Sequence, residues 1–412
     1  MFWVRGKSTL HLLLVAATII LIASCSSPVE GGRPSATSNA SAPSPGESVS
    51  PSPTPMTPPP SIPSPTMSTC GRLVQELTLR ERVGQLLMVG IGSSGPTESD
   101  ADVLATTRAG SVLLLGNSTI GRQGTQEVTR RTLRAARQPE HIQTMIAVDQ
   151  EGGSVQRLKG TGFDPIPSAV QQARLSDRRL AAEAKTWGQQ LQSAGIDANL
   201  APVADVVPRS TIDRNEPIGQ LRRGYGSDPV LVAAKVRAFV SGMARAGVVT
   251  SLKHFPGLGR VRGNTDFRSD VVDTVTRRDD PALAGFSSGV EAGAEMVMVS
   301  SATYSRLDQR HRAAFSPTVL RGMIRGDLDF TGVIISDDLA ASAMRDVSAG
   351  SRVVRFLAAG GDLAIIGDPA MTEVAADAVV VRARQDPGFA KIVATSATRV
   401  AELKQRHGLA DC

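Results

Sequence analysis

The chain has 412 residues, 41% of them apolar, and a net charge of only +6. These values exclude a wholly disordered polypeptide and leave room for one large domain or two ordinary ones. Three cysteines exclude a disulfide-dense scaffold, and 3% aromatics argue against a base-stacking nucleic-acid surface.

The charge divides as +2, −1 and +5 over residues 1–24, 25–69 and 70–412, with no basic run. A mildly basic soluble surface is the reading, and no nucleic acid is expected as a partner. Residues 1–24 have the form of a signal peptide. Arg5 and Lys7 precede an apolar run from Leu12 to Ile22 that is too short to span a bilayer. The run ends in Ile22-Ala23-Ser24-Cys25, which resembles a bacterial lipobox, with Cys25 as the lipidated residue. Residues 25–69 are dominated by Ser, Pro and Thr and cannot bury a core. They read as a stalk, and the chain is expected on the extracytoplasmic face of the cell membrane, anchored by lipid. Cys70 opens the folded part and Cys412 closes it, so in an exported chain the two are expected to pair.

From 70 to 412, short Val-, Ile- and Leu-rich runs alternate with amphipathic stretches. The runs are Gln85–Ile91, Ser111–Leu115, Thr144–Val148, Ile196–Leu200, Val248–Leu252, Met296–Val299, Gly332–Ser336 and Asp362–Ile366. Most do not alternate polar with apolar, as befits strands buried on both faces. Helical patterns include Leu180–Ser193, Leu231–Ala244, Pro317–Arg325 and Arg352–Ala358, and Gly110, Gly195, Gly247, Gly293 and Gly360 stand where C-caps are expected. Eight β-then-α units predict an α/β fold, a (β/α)8 TIM-type barrel forming a single catalytic domain. A two-lobed solute-binding fold is the rival on the pattern alone.

In such a barrel the chemistry sits at the strand C-termini. There the sequence places Asp149-Gln150-Glu151-Gly152-Gly153, Asn199 with Asp205, Lys253-His254-Phe255-Pro256-Gly257, Ser300-Ser301 and Ser336-Asp337-Asp338. Ringed charges of this kind cost stability and suit a polyhydroxylated ligand. Either Asp337 or Asp338 is expected to cap the following turn. His141, His311 and His407 read as surface or structural residues. No His/Cys cluster has ligand spacing and no phosphate loop is present, so neither a metal nor a cofactor is expected.

Taken together, Val148-Asp149-Gln150-Glu151-Gly152-Gly153 with Gln156-Arg157, Ala201-Pro202-Val203-Ala204-Asp205, Gly224-Tyr225-Gly226-Ser227-Asp228-Pro229, Lys253-His254-Phe255-Pro256-Gly257 and Ile335-Ser336-Asp337-Asp338-Leu339 resemble glycoside hydrolase family 3, in its single-domain bacterial β-N-acetylglucosaminidase form. The resemblance covers 70–412. It implies a retaining exo-β-glycosidase with Asp337 as nucleophile and Asp149, Arg157, Arg223, Lys253 and His254 as sugar-binding groups. The implied partner is an N-acetylglucosamine-containing glycan or muropeptide from the cell wall, and a monomer is expected.

One segment departs from the family pattern. The family carries Asp-Ser-His after its Lys-His-Phe-Pro-Gly-His-Gly, whereas this chain has Asn264-Thr265-Asp266, with Leu258 at the second His and Ser301 where the sixth strand often has His. Two readings stay open. Either Asp266 is the acid/base of an ordinary two-carboxylate arrangement, or the loop has lost its acid and the barrel binds sugar without turning it over. The same chemistry on another β-glycoside is a further alternative. A carboxylate at 266 would repel an incoming phosphate, so water is the expected acceptor.

Overall fold

The computed structural model describes residues 68–412. The signal-like segment, Cys25 and the stalk through residue 67 lie outside the described residues. The folded part begins slightly before Cys70: Ser68 caps a helix over Thr69–Glu76 by accepting from the Gly71 N–H.

Eight strands carry the barrel: β1 (Leu87–Gly92), β2 (Ser111–Leu115), β3 (Met145–Val148), β4 (Ala198–Asn199), β5 (Val249–Phe255), β6 (Met296–Val299), β7 (Val333–Ser336) and β8 (Ala364–Ile366). Each of the eight predicted runs supplies one of them. All neighbours pair in parallel, and β1 pairs with β8 as well as with β2. An Ile335–Leu363 bridge joins β7 to the chain entering β8 and closes the ring.

The strands alternate strictly between two apolar environments. Met88, Leu113, Met145, Ala147, Ala198, Val249, Met296, Met298, Val333, Ile335 and Ile365 fill the barrel interior. Their neighbours in sequence, such as Val89, Val112, Ile146, Val297 and Ile334, pack outward against the helices. Period-2 geometry thus gives the apolar residues on both faces of a strand an apolar environment, which is why the runs read as largely hydrophobic. Val400, Leu403 and Leu409 join the interior cluster, so the C-terminal helix Pro387–Arg406 and the turn after it seal the floor at the strand N-termini.

Helices open where short polar side chains can take the free N–H groups. Thr97, Ser176, Asp228 and Asp386 each accept such a bond. At the other end, Gly195, Gly247, Gly293 and Gly360 adopt the positive φ expected of them. Gly110 does not: Arg108 takes the left-handed C-cap position after Glu98–Thr107. Gly110 is needed for a different reason, since a Cβ there would lie 2.7 Å from Gln85 Cα.

Cys70 and Cys412 form a disulfide, with Cα atoms 4.7 Å apart across 342 residues of sequence. The bond ties the first helix to the segment that seals the floor. Among the described residues, no helix is long and apolar enough to cross a membrane.

Candidate active site

The strand C-termini converge on a cavity of about 280 Å³. All seven residues singled out in the sequence as catalytic or sugar-binding line it: Asp149, Arg157, Arg223, Lys253, His254, Asp266 and Asp337. They come from positions up to 188 residues apart, so only closure of the barrel brings them together.

One wall is built on the loop after β3. Asp149 leaves the strand and a small hairpin follows, Gln150–Gly152 against Val155–Gln156. Asn199, at the end of β4, clamps that hairpin by accepting from the Gln150 N–H at 3.0 Å and donating to the Gln150 carbonyl at 3.1 Å. The turn demands glycine at 152, where φ is +106° and a Cβ would stand 2.4 Å from the Pro167 carbonyl oxygen. Arg157 follows the hairpin, with Nη1 donating to Asn117 Oδ1 at 3.3 Å.

Lys253 and His254 lie just before the end of β5 at Phe255. Lys253 Nζ, nearly fully buried, lies 2.5 Å from Asp149 Oδ1 and 2.7 Å from Glu151 Oε1. Burial alone would lower its pKa, but the Asp149 and Glu151 carboxylates outweigh that and raise it, so it stays an ammonium. Glu151 also accepts two bonds from Arg223, at 2.9 and 2.7 Å. Burial would raise Glu151, yet Arg223 and Lys253 hold it well below the usual carboxylate range. Glu151 therefore organises the sugar-binding cations, a role not assigned to it from sequence. The signal was its place two residues after Asp149, but its partners lie 72 and 102 positions away.

His254 is oriented by Asp205, which is fully buried. Asp205 Oδ2 takes the His254 Nδ1–H at 2.8 Å, while Oδ1 takes the backbone N–H groups of His254 and Leu258. Since a carboxylate only accepts, Nδ1 carries the proton. Nε2 is left facing Arg223 Nη2 at 3.4 Å.

Asp337 and Asp338 follow β7 and have different tasks. Asp338 Oδ1 accepts from Ala340 N–H and Gly367 N–H, both at 2.8 Å, making it the capping residue of the turn. Gly367 has no Cβ because one would meet Asp338 Oδ2 at 2.4 Å. Asp337 is left facing the cavity. Burial pushes its carboxyl up to about 6, helped by the charges of Asp266 and Asp338 and opposed by His254.

The loop carrying Asp266 lies over the site and is tied down on two sides. Ser342 N–H donates to Asp266 O at 3.2 Å and Ala343 N–H to Thr265 O at 3.1 Å. Asn215, almost fully buried, donates to the carbonyls of Leu258 and Val261 at 2.8 and 2.7 Å. Asn264 Oδ1 receives the Asp266 N–H at 3.0 Å, shaping the turn that presents Asp266, whose residue is itself solvent-exposed. Two of the loop's three arginines are engaged elsewhere: Arg260 with Asp280 and Thr276, and Arg268 with Asp270. Ser301 is buried with its hydroxyl unpartnered and does not line the cavity. His311 and His407 pair with Asp308 and Glu295 away from the site. Among the described residues, no group of His, Cys, Asp and Glu is arranged to hold a metal.

Residues 78–403 match the Glycosyl hydrolase family 3 N-terminal domain. Beta-hexosaminidase of Stenotrophomonas maltophilia (strain K279a) is 31% identical over 308 residues, covering 71% of this chain and 87% of that protein. The β-N-acetylhexosaminidase of Beutenbergia cavernae superposes with a TM-score of 0.78 at 40% identity, over 80% of this chain and 99% of the other. A family 3 β-N-acetylglucosaminidase from Paenibacillus sp. FPU-7 does so with a TM-score of 0.74 at 25% identity, over 81% and 63%. The chain belongs to glycosyl hydrolase family 3. It is a glycoside hydrolase acting on O-glycosyl bonds, and its substrate is a carbohydrate.

Proposed function

We propose that the protein is a retaining exo-β-glycosidase that releases terminal β-linked N-acetylglucosamine from cell-wall fragments. The observation that carries this reading is the gathering of Asp149, Arg157, Arg223, Lys253 and His254 around the same small cavity as Asp337. A cavity of about 280 Å³ suits one sugar ring, and the activities named for the relatives support a hexosaminide.

In the first step an oxygen of Asp337 attacks the anomeric carbon, and the bond to the leaving oxygen breaks. Asp266 gives that oxygen its proton. In the second step water attacks the glycosyl-enzyme, Asp266 takes the water's proton, and Asp337 departs with its charge restored. Asp149 and Lys253 are placed to accept from and donate to sugar hydroxyls, and Arg223 adds further donors. No cofactor enters this sequence.

The lipobox-like Ile22-Ala23-Ser24-Cys25 and the Ser/Pro stalk support export and lipid anchoring at the extracytoplasmic face of the membrane. A monomer suffices, because every residue invoked comes from one chain.

The exposure of Asp266 and the replacement of the family's acid/base pair favour one second reading, a barrel that binds sugar without cleaving it. A panel of chromogenic β-glycosides tests both. Turnover confined to N-acetylglucosaminide supports the proposal, turnover of another glycoside would move the sugar assignment, and binding without turnover would support the second reading.

A further inference from the structure

At the floor of the barrel, opposite the mouth, lies a second cavity of about 340 Å³ with an unusual lining. Four cations, Arg321, Arg325, Lys391 and Arg399, surround it, and no carboxylate lines it. They come from the helical segment Thr318–Asp327 and the helix Pro387–Arg406. Gly360 and Gly361, which lead into β8 at its N-terminal end, form another side.

The nearest carboxylate, Asp362, is fully buried and saturated. Oδ2 is taken by Arg325 and the Ile334 N–H, and Oδ1 by Arg399 at 3.0 Å and the Ser396 hydroxyl at 2.9 Å. Arg325 is further occupied by the carbonyls of Phe330 and Gly332. Arg399 shares Asp362 with Arg325, and the two solvent-exposed cations, Arg321 and Lys391, are not ion-paired among the described residues. Arg321 spends one N–H on the Ala358 carbonyl, at 2.7 Å. Asp362 thus serves two of the four cations, and Asp386, beside Gly388, is the other carboxylate close to the cavity. Burial lowers the pKa of Arg325; the Asp362 carboxylate opposes this, and the charge of Arg399 adds to it. The first turn of the helix Pro387–Arg406 also lines the cavity through Gly388, with Asp386 as its cap.

We infer that this cavity is an anion site that takes a phosphate group, bound by Arg321, Lys391 and Arg399. A phosphate carries close to two negative charges and three or more acceptor oxygens near neutral pH. That matches the uncompensated charge and the several directions from which the donors approach, whereas a carboxylate offers one charge and two oxygens. The phosphate is either a free ion or the phosphomonoester of a lipid head group. Both present the same oxygens to the same donors. The site lies at the end of the barrel away from the sugar cavity, so occupancy need not alter hydrolysis.

Calorimetric titration of the purified full chain in detergent tests the site. The probes are inorganic phosphate and glycerol 3-phosphate, the deacylated form of a phosphomonoester head group, with acetate as the control anion. One saturable phosphate per chain is expected, weakened at least tenfold in an Arg321→Gln/Lys391→Glu double variant whose glycosidase turnover is unchanged. Tighter binding of glycerol 3-phosphate, in competition with phosphate, assigns the site to a head group, and binding of phosphate alone assigns it to the free ion. Absence of saturable binding by both probes, binding unaffected in the double variant, or equal binding of acetate would overturn the inference.

Discussion

Glu151 and Arg223 meet through two parallel hydrogen bonds, at 2.9 and 2.7 Å, and the same carboxylate holds Lys253 at 2.7 Å. One buried anion thus fixes the two cations that flank the sugar cavity. Replacing it strands Arg223 in a site it cannot leave and leaves Lys253 with Asp149 alone, a loss on the order of 3–5 kcal/mol for a buried pair. Glu151→Ala is expected to lower the melting temperature markedly. Glu151→Gln keeps the shape and is expected to fold, with a KM rise of about 10–100-fold exceeding the fall in kcat. A variant with unchanged KM would show that the bridge serves stability alone.

Asp337 carries a pH signature whose sign follows from burial. Its carboxyl is raised from 3.8 to about 6 on folding. As pH rises the unfolded chain therefore loses this proton first, and the folded state loses stability between about 4 and 6 and carries the full cost above 6. Asp337→Asn is expected to be inactive yet more stable than the parent at pH 7.5, by about 1–3 kcal/mol. Near pH 3.5 the gain should vanish, which thermal melts at the two pH values will show. Activity of the parent should fall on the acid side as this group takes up a proton near 6.

Much of this was legible in the sequence because the barrel is buried on both faces of its strands. Val, Ile and Leu runs such as Ser111–Leu115 and Met296–Val299 coincide with β2 and β6 to the residue. Gln85 and Leu86 proved to be the approach to β1, since apolar burial begins before the ladder does. The small sheet formed by Val272–Asp273, Thr303–Tyr304 and Asp308–Arg312 was not legible: its strands are short and polar, and their pairing is set by the loops they brace. Among site residues, those with a chemical signature at a strand end were legible. Glu151 and Asp205 were placed at the strand ends but given no role, and Asn215 was not singled out, because each acts on another side chain or loop across a long sequence distance. The cap at Arg108 was likewise hidden, since a non-glycine left-handed residue has no strong sequence mark.

The disulfide between Cys70 and Cys412 closes nearly the whole folded chain. Cross-linking so long a loop restricts the unfolded ensemble, for a stabilisation of about 2–5 kcal/mol. Cys412→Ser, or reduction of the parent, should lower the melting temperature while leaving kcat/KM at 25 °C within about twofold of its value, because the bond lies far from the mouth. A large loss of activity in the still-folded variant would mean that the floor is coupled to the site.

Asp266 as acid/base makes a leaving-group prediction. Asp266→Ala should impair glycosides with poor leaving groups by about 10²–10⁴-fold, and activated aryl glycosides far less. Azide, which needs no base, should partly rescue the variant. Asp266→His combined with Asn264→Asp should retain or raise activity. Equal losses on good and poor leaving groups without azide rescue would assign Asp266 to loop shape only.

The retaining mechanism is tested most directly by trapping its covalent intermediate. Incubation with a fluorinated N-acetylglucosaminide, which forms the glycosyl-enzyme quickly and hydrolyses slowly, should add one sugar per chain, and peptide mass spectrometry should place it on Asp337. A label on Asp338 or any other residue, or turnover with no covalent adduct, would contradict the assignment of Asp337 as nucleophile.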